Sequence, residues 1–293
     1  MKASKLAREY YNLTKPGIIR GNLMTAAAAF LLASRGYPDP LLLLAMLAGL
    51  ALVIGSGCVS NNYIDRGIDR KMARTRQRAL ASGVISGRSA INYAAVLLAA
   101  GLVILVIFTN ILTALLSLAC FVAYVFIYAI AKRKSVYGTE VGSISGAIPP
   151  VVGYCAVTGS LDITALLLFI VLVVWQMPHF YAIAIFRKED YKAAGIPVLP
   201  LVRGIPATKR RMVWYAAAFL AAVIALGIHD GLSPAYYVIT GGAGVYWLAC
   251  GVKGLRPADD AHDIRWARKM FGVSLLALTA FSVTLAIEGF LPI

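Results

Sequence analysis

Residues 40–71 read PLLLLAMLAGLALVIGSGCVSNNYIDRGIDRK. From Pro40 to Asn61 no residue is charged, and the run is long enough to cross a bilayer at roughly 20 residues per helical span. Charge then arrives at once, as Asp65, Arg66, Asp69, Arg70 and Lys71. An apolar span that runs straight into acids and bases sets those groups at a membrane boundary, where ionisable side chains are by default functional.

The rest of the chain has the same character. Its 293 residues are 60% apolar and only 14% charged, against roughly 45–50% and 25% in a soluble domain. That composition excludes a soluble globular enzyme and a disordered chain alike. Nine stretches are apolar enough to span, roughly Ile18–Ser34, Pro40–Asn61, Ala90–Phe108, Ile111–Ala131, Gly138–Thr158, Leu161–Phe186, Val213–Ile228, Pro234–Val252 and Met270–Leu291. In the fifth, Gly142, Gly146, Pro149, Pro150 and Gly153 predict a kink, and Pro178 threatens the sixth in the same way. The first twenty residues are polar and basic, which predicts no cleavable signal peptide. Residues 1–293 therefore read as a single membrane-embedded domain.

The basic residues test that count. With the N-terminus cytoplasmic, nine spans make the inner segments 1–20, 62–88, 132–137, 187–212 and 253–269, which hold 5, 7, 3, 7 and 5 Lys/Arg. Only Arg35 of the 28 falls outside them, while Asp39, Asp162, Asp230 and Glu288 lie on the opposite side. This positive-inside pattern predicts an all-α, nine-span protein with its N-terminus in and its C-terminus out. The net charge of +15 is thus explained by topology and not by nucleic acid. The four cysteines all lie in apolar stretches without paired spacing and read as buried free thiols.

The two long inner segments, 62–88 and 187–212, each begin with carboxylates and continue with bases, as if two related halves faced one cavity. Asn61, Asp65 and Asp69 recur every four residues, so on a helix continuing from the second span they form one stripe, about 6 Å apart along the axis. Carboxylate and amide oxygens without Cys or His make a hard-oxygen site suited to Mg²⁺. Arg70, Arg74 and Arg78 repeat at the same interval, and guanidinium beside such a stripe suits a diphosphate. The plain alternative is a set of solvated i,i+4 ion pairs. In the second segment Glu189 and Asp190 could supply a further carboxylate cluster. Lys132-Arg133-Lys134 reads first as a topology signal, with Glu140 placed to pair with it. Asp259, Asp260 and Asp263 in RPADDAHD read as a solvated loop, and His229 and His262 as surface residues.

NNYIDRGIDRKMARTRQRAL, residues 61–80, resembles the first aspartate-rich motif of the intramembrane aromatic prenyltransferase superfamily. Within it, the strings LTKPGI (13–18), GAIPPVVGYCAVTG (146–159), WQMPHF (175–180) and EDYKAAGIPVLP (189–200) are similar to the branch that takes haem as acceptor. The resemblance runs nearly end to end and implies nine helices around a central cavity, with both motif loops on the cytoplasmic side of the inner membrane. It implies that Asn61, Asp65, Asp69 and Asp190 bind Mg²⁺, with Asp65, Asp69 and Asp190 catalytic. Arg70, Lys71, Arg74 and Arg78 are then expected around the diphosphate, and Asn62, Lys132, Arg133, Trp175, Gln176, Glu189 and Tyr191 among the other residues that bind the substrates, farnesyl diphosphate and haem B. His179 reads either as a packing residue or as a pocket residue, there as iron ligand, propionate partner or acid/base group.

Two departures from the superfamily pattern stand out. Asn62 replaces an aspartate, and the second motif lacks an Asp-x-x-x-Asp pair, since Phe186 precedes Asp190 by four. The implied reaction joins the farnesyl group to a haem vinyl carbon and adds water, giving haem O. A haem A synthase or a terminal-oxidase assembly factor is the partner that the resemblance suggests. The rival readings are a prenyltransferase for a quinone-precursor aromatic acid and, from another class, a transporter, which would place its charges nearer the bilayer midplane.

Overall fold

The computed structural model describes residues 3–256 and 259–291, apart from the side chain of Ala3; Lys2, counted above among the inner bases, and Pro257 and Ala258 of RPADDAHD lie outside them. Helix α1 (Ala3–Leu13) leads into α2 (Pro16–Ser34) and α3 (Pro40–Asp69), then α4 (Gly87–Phe108). Helix α5 (Ile111–Val122) passes through a π turn at Ala123–Ile127 into α6 (Tyr128–Lys134). Next come α7 (Gly138–Thr158), α8 (Ile163–Phe186) and the short α9 (Lys188–Ala194) and α10 (Leu199–Val202). Helix α11 (Gly204–Asp230) and α12 (Pro234–Tyr236) follow, the latter joined by a second π turn at Tyr237–Gly241 to α13 (Gly242–Lys253). Helix α14 (Asp260–Glu288) closes the fold. Among the described residues nine helices are long and apolar enough to cross a membrane, in the same order as the nine apolar stretches.

The starts of these helices are written locally. Asp39 accepts from the amides of Leu41 and Leu42 with Pro40 at the first helical position, and Asp162 caps α8 through Ala165. Ser86, Asn110 and Asp259 do the same for α4, α5 and α14. Each cap satisfies donors that the helix itself leaves open. Several helices outrun their apolar windows, because a helix need not end where the bilayer does. The second span continues as helix to Asp69, and the seventh begins at Gly204, so the segment 187–212 is mostly helical and not an open loop.

In the fifth span α7 continues as helix across Pro149 and Pro150. Pro149 has no N–H for the carbonyl of Ser145, and the Cys120 thiol donates to that carbonyl instead, at 3.2 Å. The glycines serve close approach: a Cβ on Gly153 would sit 2.0 Å from the carbonyl oxygen of Ala26 on α2. Helix α8 likewise continues as helix through Pro178. The irregularities fall in the fourth and eighth spans, as the two π turns. All four cysteines are free and buried.

Helix α3 packs along α4, α7 against α2 and α8, and α8 against α11 and α14. Helix α14 returns to α2, so the last span meets the first. Two ion pairs at the end of the bundle that carries Asp69 tie the later elements together. Lys209 and Asp263, 4% and 6% exposed, pair between α11 and α14, and Lys188 reaches Asp260 at 3.8 Å. Asp263 is therefore buried, where a solvated loop was expected from the sequence.

Candidate active site

Helix α3 carries Asn61, Asp65 and Asp69 along one face at its C-terminal end, all three no more than 3% exposed. Each is met by a cation from a different part of the chain. Lys15 Nζ donates to Asn61 Oδ1 at 3.1 Å. Lys132 Nζ lies 2.6 Å from Asp65 Oδ2, and an Arg133 Nη lies 3.1 Å from Asp65 Oδ1. Arg78 spans both oxygens of Asp69, at 3.1 and 3.0 Å, and reaches Asn62 Oδ1 at 3.4 Å. Asn62 in turn donates to the Leu13 carbonyl at 2.9 Å, tying the N-terminal segment to the stripe.

Local structure explains how each cation arrives. Lys15 holds φ +53°, a left-handed conformation that joins α1 to α2 and that non-glycine residues adopt at a cost of order 1–2 kcal/mol. Burial draws the Lys15 ammonium below its ordinary value of 10.5, and Arg78 and Lys132 push the same way, against the attraction of Asp65. Lys132 and Arg133 sit on the helical turn after the π segment, which rotates the helix end that follows it. Arg78 rides a turn-rich loop that is pinned by Ala79, Leu80 and Ile85, buried against Leu13, Val59 and Ala90. Four fixed cations face two carboxylates, so the cluster carries an excess of two positive charges. That excess suits a polyanion, while the oxygen donors of Asn61, Asp65 and Asp69 fit a hard divalent cation. Among the described residues no three His, Cys, Asp or Glu side chains converge on one point.

Other expected site residues are placed differently. Arg70, Arg74 and Arg78 form no helical stripe, because α3 ends at Asp69. Arg70 is exposed and donates through Nε to the Ala81 carbonyl at 2.7 Å, which steadies the loop; Lys71 and Arg74 are exposed as well. Asp190 is half-buried, 4.0 Å from Arg187, and Glu189 is exposed. Segments 62–88 and 187–212 do meet, through Met72, Ala194 and Ile196 with Tyr191 packed beside them. Burial raises the Tyr191 phenol above its ordinary value of 10.

The Trp-Gln-x-Pro-His cluster faces its neighbouring helices. Trp175 donates to the Ser274 carbonyl at 2.8 Å, and His179 Nδ1 lies 2.8 Å from Ser274 Oγ, stacked between Trp175 and Phe271. Gln176 donates to the Ser143 carbonyl at 3.0 Å across α7. These contacts set Trp175 and His179 in the interface of α8 with α14, away from the Asp65 partners. Glu140 pairs with Arg211 at 3.0 Å and accepts from Tyr181, so it does not join the Lys132 cluster as expected.

Lys15 was absent from the residues expected at the site. Its only signal was a lysine in the Thr-Lys-Pro string just before a span, and nothing local ties that string to Asn61, 46 positions away.

The UbiA prenyltransferase family matches residues 22–275. The protoheme IX farnesyltransferase of Yersinia enterocolitica is 46% identical over 288 residues, covering 98% of this chain and 96% of the relative. That of Photorhabdus laumondii is 46% identical over 288 residues, covering 98% and 97%. Among solved structures, one of digeranylgeranylglyceryl phosphate synthase superposes with a TM-score of 0.78 at 19% identity, covering 96% of this chain and 99% of that one. A UbiA homolog from Archaeoglobus fulgidus, bound to GPP and Mg²⁺, gives a TM-score of 0.67 at 16% identity, covering 94% and 99%.

Proposed function

The chain belongs to the UbiA prenyltransferase family, and from that premise we propose that it moves the farnesyl group of farnesyl diphosphate onto a vinyl group of haem B, with addition of water, to give haem O. The whole chain serves as one membrane-embedded domain of the inner membrane, N-terminus inside and C-terminus outside, with the carboxylate stripe facing the cytoplasm. The observation that carries the reading is the stripe itself, two buried carboxylates and an amide oxygen met by four cations from three other segments.

Asn61, Asp65 and Asp69, with Asp190 from the second segment, would hold Mg²⁺, which supplies Lewis-acid polarisation of the diphosphate. Lys15, Arg78, Lys132 and Arg133 bind the diphosphate oxygens and take up the negative charge that grows as the carbon–oxygen bond breaks. Asn62 holds Arg78 in place for that work. Exposed Arg74 and Lys71 draw the anion to the mouth of the site. The apolar helices hold the farnesyl chain, each buried CH₂ contributing about 0.8 kcal/mol relative to water. The vinyl carbon of haem forms the new C–C bond, water supplies the hydroxyl, and diphosphate and one proton leave. The chain needs no base strong enough to deprotonate carbon. Trp175, Gln176 and His179 tie α8 to α14 and α7 and so would fix the helix against which the acceptor rests. A haem A synthase or terminal-oxidase assembly factor would receive the product.

The test is to offer labelled farnesyl diphosphate and Mg²⁺ with either haem B or 4-hydroxybenzoate to the purified protein. Label in the haem fraction alone is the expected outcome, and label in the aromatic acid alone would replace the acceptor while keeping the donor site.

A further inference from the structure

At the end of the bundle opposite the carboxylate stripe, a cavity of about 600 Å³ opens between the ends of α2, α7, α8 and α11. Its polar wall is formed by Arg35, Tyr154, Asp162, Thr164, His229 and Asp230. Ile163 and Ile228 stand at its rim, 59% and 70% exposed. Nothing in the transfer reaction uses these residues, which lie the length of a span away from Asp65.

The charges here are arranged unlike those of the stripe. Tyr154 donates to Asp162 Oδ2 at 2.7 Å, and Thr164 donates to Asp230 Oδ1 at 2.7 Å. The second oxygen of Asp230 is buried and meets no donor. Arg35 lines the same cavity yet makes no ion pair with either aspartate among the described residues. It sits at φ +44°, in the left-handed region, on the turn where Gly36 bonds to the Gly289 carbonyl. Opposite charges are thus held apart across one cavity instead of closing on each other. A ligand that bridges them must carry a cation toward the aspartates and an anion toward the arginine.

We propose that this cavity binds a phosphoethanolamine group, the ammonium between Asp162 and Asp230 and the phosphate on Arg35. A primary ammonium brings three donors to carboxylate oxygens, one of which has none, and a guanidinium matches phosphate oxygens in a bidentate fork. The cavity lies where transmembrane helices end, at headgroup depth, and the exposed isoleucines give its rim an apolar surface for acyl chains. The group is accordingly that of a phospholipid in the surrounding leaflet, bound as a specific lipid of the far face.

Native mass spectrometry of the full chain in detergent, titrated with phosphatidylethanolamine, phosphatidylcholine or phosphatidylglycerol, tests this. Phosphatidylethanolamine should be retained about tenfold over the other two, equivalent to a single well-made charged contact. The preference should vanish in Asp230→Asn and in Arg35→Gln, while both variants keep their unfolding midpoint and their farnesyl transfer in detergent. Displacement of the lipid by excess soluble phosphoethanolamine would support the same chemistry from a free source. Equal retention of the three lipids, or a preference unchanged in both variants, would overturn the proposal. So would Ca²⁺ alone binding at the site with no lipid preference.

Discussion

Lys132 Nζ lies 2.6 Å from Asp65 Oδ2, joining the end of α6 to the stripe of α3 across 67 positions of sequence. Lys132 is 17% exposed on its side chain and Asp65 only 5%, so the contact is shielded and stronger than a surface pair. Together with Arg133 it fixes the carboxylate and leaves the ammonium within reach of any anion delivered there. Lys132→Met should lower kcat/KM for farnesyl diphosphate by about tenfold to a hundredfold, since a hydrogen bond to a charged group is worth about 1.5–3 kcal/mol. Steady-state kinetics with haem B saturating reads this directly, and an unchanged kcat/KM would remove Lys132 from the site.

A single Arg78 Nη meets both oxygens of Asp69 and Asn62 Oδ1, so a fork toward an incoming phosphate would come from the other guanidinium nitrogens. Arg78→Lys keeps the charge but loses the planar set of donors that would span phosphate oxygens, so it should fall between wild type and Arg78→Ala in activity. The expected order is a loss of about tenfold for Lys and at least about a hundredfold for Ala. Wild-type activity in Arg78→Lys would show that the guanidinium geometry carries nothing.

Lys15 provides a separation of fold from function. Glycine accepts a positive φ without steric cost, so Lys15→Gly should relieve backbone strain of order 1 kcal/mol while removing the cation from Asn61. The expected result is an unfolding midpoint no lower than wild type with activity reduced by about tenfold or more. Full activity would leave Lys15 a turn residue and nothing else.

The Lys209–Asp263 pair concerns stability alone. Lys209→Met leaves a buried carboxylate without its partner and should cost about 3–5 kcal/mol. Adding Asp263→Leu should restore most of that loss, because replacing a whole buried pair by apolar residues is often neutral. Denaturation in mild detergent of the two single variants and the double measures the coupling, and additive losses would contradict it.

The fold was legible because bilayer physics writes it in one dimension. Runs of apolar residue near 20 in length and bases confined to alternate loops fix the number and order of spans. What lets α7 continue as helix through its prolines was not legible, because the Cys120 thiol that serves the Ser145 carbonyl and the Ala26 carbonyl that Gly153 accommodates belong to other helices. In the site, Asn61, Asp65 and Asp69 were readable from helical spacing, which holds to the last residue of α3. The spacing of Arg70, Arg74 and Arg78 misled for the same reason, since the helix stops one residue before Arg70 and only Arg78 folds back onto Asp69. Lys15 and the Lys132 contact were out of reach because tertiary packing alone brings them to α3. Glu140 illustrates the converse, with a charge nearby in sequence and its partner, Arg211, 71 residues away.

The most direct test of the central claim is mass spectrometry of haem extracted after incubating the membrane protein with haem B, farnesyl diphosphate and Mg²⁺, beside EDTA and Asp65→Asn controls. The account predicts a haem heavier by one farnesyl group and one hydroxyl from the wild type, absent with EDTA, and lost by at least about a hundredfold in the correctly folded variant. Undiminished product from Asp65→Asn, or unchanged haem from folded wild-type protein, would contradict it.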